Sequence, residues 1–238
     1  IDPDANDAAA LAVTQAANKN FETLGTNYTT ALTTFSATQA GITMTTATAD
    51  QDQAILLPHL DTNQTSWSGT KWGTENQVEW ECSISIPALD NQKVWAGLKL
   101  TNDQLVATDD NQMFFKYQSD ATNSEAFTTF ANWHFVHSIG GTDFISRLPI
   151  AVEADTQYHF KIEVDSDRKA AIFVNGIQYN VTTTSGSTGG TAVTTGTTKT
   201  GALTNDVDLI PYIGIENGAA AAEVLNVHYQ AISRNVFE

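Results

Sequence analysis

The chain has 238 residues, of which 41% are hydrophobic, and this composition is typical of a folded globular protein. Its 27 acidic and 11 basic residues give a net charge of −16, so we expect no nucleic-acid partner. No apolar run approaches the roughly 20 residues of a membrane-spanning helix, and we expect no membrane insertion. The single cysteine, Cys82, excludes an intrachain disulfide.

Residues 1–20 differ in character from the rest of the chain. The segment ANDAAALAVTQAANK at 5–19 is rich in alanine and has only a weak apolar stripe. We predict an N-terminal arm, helical or extended, that attaches the protein to a neighbour or contacts sibling subunits. Residues 21–238 are predicted to form one β-sandwich domain, because threonine, β-branched and aromatic residues dominate there and turn residues recur about every ten positions.

The segment VEWECSISI at 78–86 alternates strictly between apolar and polar residues. Trp80 and Cys82 share one face of this predicted strand, while Glu79 and Glu81 share the other. One buried and one wet face are typical of an antiparallel sheet. Further strands are predicted at 94–101, 112–118, 132–139, 207–217 and 223–234.

The segment HFKIEVDSDRKAAIFVNGIQYN at 159–180 is the most regularly patterned part of the chain. It predicts a three-stranded antiparallel meander with turns at 165–168 and at Asn175–Gly176, because both central residues of a type I′ turn need a positive φ. The Thr/Gly/Ser-rich residues 182–201 are predicted to form an exposed loop or a hairpin with a flexible tip. Together these patterns predict an all-β protein, a two-sheet antiparallel jelly-roll sandwich.

Several phrases of the sequence resemble known families. The D-x-D-R turn at 165–168, the IFVNG strand and the PYIGI strand resemble a laminin-G or concanavalin-like jelly roll. Longer phrases resemble a group of virion structural proteins of tailed, mostly marine bacteriophages. These phrases are AILLPHLDTNQTSW (54–67), WAGLKLTN (95–102), SIGGTD (138–143) and LIPYIGIEN (209–217).

The resemblance to phage proteins implies a component of the virion surface. The expected role is structural and non-enzymatic, as a capsid decoration, a head fibre or part of a tail fibre. Phage capsid or tail proteins are the expected partners, and by analogy with phage decorations and fibres we expect a homotrimer. The resemblance supplies no catalytic motif.

The sequence was searched for catalytic residues, beginning with carboxylate pairs. Glu79 and Glu81 share the outward face of their strand, but the next position of that face is Ser83. Retaining glycosidases need two carboxyl groups about 5.5 Å apart, whereas residues i and i+2 of a strand lie about 7 Å apart. No G-x-S-x-G motif occurs either. We therefore predict surface charge here and a protein that is not an enzyme.

The sequence contains no recognisable metal motif. His134 and His137 are three residues apart, which places them on opposite faces of a strand. Two acidic turns have oxygen atoms that could bind calcium, although turn formation explains both of them equally. Their candidate residues are Asp109, Asp110, Asp165 and Asp167. No cofactor is predicted, and calcium is the alternative.

A lectin-like role is the second functional hypothesis. Trp67 and Trp72 flank a glycine-containing loop, WSGTKW, and aromatic rings on loops stack against sugar rings. The same two rings could instead cap the end of the sandwich. Trp80, Trp95 and Trp133 are assigned to the core. The alternative function is thus a carbohydrate-binding module that recognises host-surface glycan.

Overall fold

The computed structural model describes residues 22–36, 41–57, 72–119, 127 and 130–235. This part of the chain contains fifteen strands and two short 3₁₀ turns, Thr30–Leu32 and Thr74–Asn76, and it contains no α-helix. Nor does it contain a helix long and apolar enough to cross a membrane. The arm predicted over residues 1–20 lies outside the described residues.

The strands are numbered in chain order. They are β1 (Glu22–Leu24), β2 (Thr33–Ser36), β3 (Gly41–Thr45), β4 (Gln53–Leu57), β5 (Glu79–Ser85), β6 (Gln92–Lys99), β7 (Gln112–Gln118), β8 (Asn132–Ile139), β9 (Thr142–Ala151), β10 (Gln157–Val164), β11 (Ala170–Val174), β12 (Ile177–Tyr179), β13 (Gly186–Ala192), β14 (Ile210–Asn217) and β15 (Val224–Ser233).

These strands form two sheets that pack face to face. The eight-stranded sheet has the order β1-β4-β14-β6-β7-β8-β9-β13, and the seven-stranded sheet has the order β12-β11-β10-β5-β15-β3-β2. Every pairing is antiparallel except that of β13 with β9, which is parallel. The predicted all-β sandwich is confirmed.

The main hydrophobic core lies between the sheets. Alternate residues of each strand point into it, including Trp80, Cys82 and Phe160 from the seven-stranded sheet and Phe115 and Trp133 from the eight-stranded sheet. Burial of the Cys82 thiol raises its pKa well above the usual value. The prediction that Trp80 and Trp133 belong to the core is confirmed, since both are fully buried.

A second apolar cluster covers the outer face of the eight-stranded sheet. It contains Trp95, Phe114 and Tyr212 from strands, together with Val106 and Phe127 from connecting segments. Trp95 is therefore buried, but it lies in this second cluster and not between the sheets. Because connecting segments cover this face, its strands are buried on both sides.

The predicted meander at 159–180 is confirmed as β10, β11 and β12. Asn175 and Gly176 have φ angles of 51° and 78°, as the predicted turn requires. The turn before β11 ends at Arg168, whose φ is 59°. The Asp165 side chain closes this turn by accepting from the backbone N–H groups of Asp167 and Lys169.

The prediction for residues 182–201 is wrong in part. Instead of a loop or a hairpin, residues Gly186–Ala192 form β13, the edge strand of the eight-stranded sheet, which pairs in parallel with β9. Thr191 lies opposite Ser146, and Ala192 lies opposite Arg147. The Gly/Thr-rich composition carries no local strand signal, so only pairing with a distant segment makes this a strand.

Candidate functional site

Three lysines are buried on the outer face of the eight-stranded sheet. Lys93, Lys99 and Lys116 are each at most 1% exposed, which is rare for this residue type. Burying an ammonium group is costly unless it is paired and hydrogen-bonded. Each of these lysines has such a partner: Glu216 on β14 for Lys93, and Asp109 and Gln104 in the segment between β6 and β7 for Lys99 and Lys116.

Lys93 on β6 pairs with Glu216 on the neighbouring strand β14. The Lys93 Nζ lies 2.6 Å from Glu216 Oε1. The other carboxylate oxygen, Oε2, accepts a hydrogen bond of 2.6 Å from the Gln53 side chain on β4. Lys93 lies directly opposite Glu216 in the ladder between β6 and β14, and this register brings together charges 123 residues apart.

The segment between β6 and β7 is anchored to the sheet by the other two lysines. Lys116 donates to the backbone carbonyl of Gln104 at 2.9 Å and to its side-chain oxygen at 2.6 Å. Lys99 lies 3.3 Å from Asp109, whose carboxylate also accepts from the hydroxyl of Thr101. The Gln104 amide nitrogen lies 3.4 Å from Glu216 Oε1. The segment is thus held at both ends by buried charged groups.

A cleft of about 500 Å³ opens between this segment and the sheet. Its volume is within the usual range for a small-molecule site. Seven of the eight lining residues have polar side chains, namely four amides, two carboxylates and one ammonium group, and the eighth is a leucine. The lining residues are Gln51, Gln53, Lys93, Asn102, Asp103, Gln104, Leu105 and Glu216.

The turn before β4 presents Gln51 to the cleft in an uncommon backbone conformation. Gln51 has a φ of 65°, in the left-handed region that residues with a Cβ rarely adopt. The turn is fixed from both sides: Gln51 donates its N–H to the carbonyl of Asn217, and Asp52 donates its N–H to the Asn217 side chain at 2.8 Å. Six other non-glycine residues in the described part of the chain also have positive φ angles, so this conformation fixes the turn and is not by itself a mark of a functional site.

The cleft offers hydrogen-bonding groups in a partly fixed arrangement. Amide side chains both donate and accept, and carboxylates accept. Gln53, Lys93 and Glu216 lie on strands, and the buried Lys116 holds Gln104, so these four positions are fixed before binding. The other four lining residues lie in connecting segments. Such a lining suits a ligand rich in hydroxyl groups.

The two tryptophans predicted to bind glycan do not line this cleft together. Trp67 lies outside the described residues. Trp72 is half-buried and packs against the core between the sheets, and its backbone carbonyl accepts from Leu209. A glycan-stacking role for the pair remains a prediction.

Two of the four predicted calcium candidates bond to protein groups. Asp109 bonds to Lys99 and Thr101, and Asp165 lies 2.8 Å from Lys199 besides closing its turn. Asp110 and Asp167 are in the adjoining turns. Within the described ranges, no group of three or more His, Cys, Asp or Glu residues is arranged to hold a metal ion. Calcium binding remains a prediction.

Glu79 and Glu81 lie on the outer face of the seven-stranded sheet, as the alternation predicts. Glu81 accepts a hydrogen bond from the Tyr229 hydroxyl and lies 3.4 Å from His159 Nε2. The hydrogen bond to Glu81 raises the pKa of Tyr229 to about 12. Glu79 pairs with Lys161 at 2.7 Å. These are partly exposed contacts across neighbouring strands.

The two histidines of β8 are buried on opposite faces of the strand, as predicted. His134 packs edge-on against Phe127 on the outer face. His137 stacks between Phe135 and Phe144. Desolvation by burial lowers the pKa of His134 to about 4 and that of His137 to about 3. Both imidazoles are therefore neutral at pH 7.

Sequence reasoning missed most residues of the cleft. Lys93 and Glu216 stand in strands that were predicted at nearly the right positions, at 94–101 and 207–217. The available signal was a charged residue in an otherwise apolar strand, in QKVWAGLK and in IPYIGIEN. Their partnership depends on strand register, which no local pattern encodes.

Comparisons with known proteins show similarity in fold and not in sequence. No family model matches the sequence, and no curated protein matches it at a significant level. Among solved structures, a family 7 alginate lyase in complex with its substrate is similar with a TM-score of 0.51 and 13% identity, over 89% of this chain and 84% of that one. A glycosyl hydrolase family protein from Mycobacterium fortuitum has a TM-score of 0.51 and 10% identity, over 87% and 80%. The carbohydrate recognition domain of Emp47p has a TM-score of 0.49 and 9% identity, over 95% and 93%.

These neighbours correct the prediction that the protein is not an enzyme. That prediction relied on the absence of familiar catalytic motifs. An alginate lyase and a glycosyl hydrolase family protein have the same sandwich fold at 10 to 13% identity, so missing motifs do not exclude catalysis. At this level of identity the likeness establishes the fold alone.

Proposed function

We propose that the protein binds carbohydrate in the cleft on the outer face of the eight-stranded sheet. The observation that carries this proposal is the lining itself: four amides and two carboxylates converge on about 500 Å³, positioned by the buried Lys93–Glu216 pair. Amide and carboxylate groups match sugar hydroxyls, which both donate and accept. Two structural neighbours whose names connect them with glycans add support to this proposal.

The test is glycan binding by the purified protein and by single cleft variants. A panel of soluble polysaccharides is examined by affinity electrophoresis, and each retained glycan is then measured by calorimetry. Gln51→Ala and Asn102→Ala are expected to weaken binding about threefold to tenfold, the effect of losing one or two neutral hydrogen bonds. Their melting temperatures are expected to remain unchanged, because neither side chain is buried.

Gln178→Ala is the matched control for these variants. Gln178 lies on β12, at the edge of the other sheet, and is also only partly buried. This variant should bind glycan like the unmodified protein. Equal binding by all variants, or retention of no glycan at all, would contradict the proposal.

Cleavage of the bound glycan is a second candidate function for the same cleft. The observation that favours it is the presence of two carboxylates, Glu216 and Asp103, in one lining, since glycoside hydrolysis commonly uses two such groups. Release of reducing ends from the glycans that bind is the direct assay. Activity that Asp103→Asn abolishes without weakening binding would establish catalysis, whereas binding without release would leave the protein a lectin.

We also infer that the protein is a structural component of a tailed-phage particle, displayed on its surface and in contact with capsid or tail proteins. The support is the resemblance of four phrases to phage virion proteins. Three of them overlap the neighbouring strands β4, β14 and β6, and two of these phrases contain the cleft residues Asn102 and Glu216. Immunogold labelling of purified particles that carry the gene tests this location, and unlabelled particles would contradict it.

A further inference from the structure

We propose that the cleft selects uncharged glycans over polyuronates, an inference that rests on the proposed function. It concerns the charge and hydrogen-bonding character of the lining rather than its shape. It also separates this protein from the alginate lyase that shares its fold, because alginate is a polyuronate.

The charge of the cleft is negative. Among the described lining residues, the one ammonium group of Lys93 stands against the two carboxylates of Glu216 and Asp103. Lys93 lies 2.6 Å from Glu216 Oε1, and both side chains are buried. Its charge is thereby balanced within the protein. The carboxylate of a uronate would approach Asp103 with no opposite charge left over to offset the repulsion.

Part of the donor capacity of the cleft is used within the protein, together with the Glu216 oxygens that accept these hydrogen bonds. The amide nitrogen of Gln53 donates to Glu216 Oε2 at 2.6 Å, and that of Gln104 faces Glu216 Oε1 at 3.4 Å. Two of the four amides thus direct donors at the protein's own carboxylate. Sugar hydroxyls can donate to the acceptors that remain, whereas a uronate carboxylate only accepts and has fewer partners here.

The remaining lysines of this face are also committed to protein partners. Lys99 lies 3.3 Å from Asp109 and also donates to Gln112, and Lys116 donates twice to Gln104. The ammonium groups along this part of the sheet are therefore already paired within the protein, and they attract a polyanion only weakly. The net charge of −16 adds a long-range repulsion, which salt reduces.

Leu105 adds an apolar element at the edge of the cleft. Leu105 is 41% exposed, which is uncommon among the large apolar residues of the described chain. A hexose presents an apolar face of C–H groups as well as its hydroxyls, and Leu105 can contact that face. The cleft can thus contact both the hydroxyl groups and the apolar C–H face of a neutral sugar.

The experiment compares defined neutral and acidic oligosaccharides by calorimetry in 150 mM salt. The neutral probes are laminarihexaose, cellohexaose, mannohexaose and maltohexaose, and the acidic probes are hexameric oligoalginates and oligogalacturonate. We expect the best neutral probe to bind at least tenfold more tightly than any acidic probe. Lowering the salt concentration should widen this ratio, since repulsion is then less screened.

Asp103→Asn is the variant that isolates charge from shape. Asparagine keeps an acceptor for the hydrogen bond that Asp103 Oδ1 receives from the Leu105 N–H at 2.9 Å. Because Asp103 itself lines the cleft, the readout is the ratio of neutral to acidic affinity. At low salt this ratio should fall about threefold or more, the order expected from removing one nearby charge. An unchanged ratio in this variant would contradict the charge argument.

The two proposals fail in different ways. Tight binding of oligoalginate that Gln51→Ala weakens would overturn the selectivity for neutral glycans and leave the carbohydrate site in place. If no probe binds, or if binding does not depend on Gln51 and Asn102, the carbohydrate site itself is overturned, and the selectivity with it.

Discussion

Glu216 connects the fold and the candidate site through one carboxylate. It pairs with Lys93, accepts from Gln53 and lines the cleft. Removing one partner of a buried ion pair leaves the other charge without compensation, whereas an exposed pair contributes little. The same chemical change should therefore have very different effects at buried and exposed glutamates.

Glu216→Gln is expected to lower the free energy of unfolding by about 3 kcal/mol, because it leaves the Lys93 ammonium buried beside a neutral amide. Chemical denaturation at pH 7 measures this loss. Glu163→Gln is the matched control, since Glu163 is 41% exposed and lies 2.6 Å from Lys161. The control should lose less than about 1 kcal/mol. Similar losses in both variants would show that the buried pair has no special role.

The buried histidines are expected to make the stability of the folded protein sensitive to acid. His137 has a pKa of about 3 in the folded protein, below its usual value of 6.5, because burial disfavours the imidazolium ion. The folded state therefore binds fewer protons than the unfolded chain. This contribution to stability is complete above pH 6.5 and is lost as the pH falls toward 3.

His137→Phe should remove part of this acid sensitivity. The unmodified protein is expected to lose roughly 2 to 3 kcal/mol through His137 between pH 7 and pH 4.5, because the folded pKa lies well below the unfolded one. Phenylalanine can occupy the same stack between Phe135 and Phe144 and does not titrate. Thermal unfolding at the two pH values measures the difference. The variant His159→Phe, at a partly exposed ring, should keep the original acid sensitivity; a His137→Phe variant that also keeps it would refute the assignment.

At the scale of elements, β6 and β14 depend on a close contact between a large and a small residue. Trp95 on β6 lies opposite Gly214 on β14, and a Cβ added to Gly214 would lie 2.2 Å from the Trp95 ring. The indole thus fills the space that the absent side chain leaves. This contact fixes the two strands that hold Lys93 and Glu216.

Gly214→Ala is expected to destabilise the protein by about 1–3 kcal/mol, the usual cost of overpacking a buried site. It should also weaken glycan binding, since the shift of β14 would displace Glu216. Gly201→Ala is the control, because a Cβ there would only touch Ile139 at 3.4 Å. Denaturation curves and calorimetry on both variants test this, and equal stability of the two would contradict the packing argument.

At the scale of the whole molecule, assembly remains a prediction. Open sheet edges are covered or charged in natural proteins, and the resemblance to phage proteins implies a homotrimer with residues 1–20 as an attachment arm. The full chain should then have about three times its mass of 25.7 kDa in solution. Native mass measurements on the full chain and on residues 21–238 test the predicted trimer and the predicted role of the arm. A monomer in both cases would contradict the trimer, and an unchanged trimer after truncation would contradict the role of the arm.

Much of the fold could be predicted because its strands carry local signals. Period-two alternation located β5, and the Asn175–Gly176 turn located the meander of β10 to β12, since both depend only on neighbouring residues. β13 lacked such a signal and was missed. It is a strand only because β9 presents an edge to it.

The sequence by itself determined the all-β class, most strand positions and the inward direction of Trp80 and Cys82. Only the tertiary structure decided which strands are neighbours, and with them the cleft. Lys93 and Glu216 meet through the register of β6 with β14, and Gln104 reaches them because buried lysines hold its segment on the sheet. The physical reason is that alternation is a local property of the chain, whereas register and loop anchoring arise from contacts between residues distant in sequence.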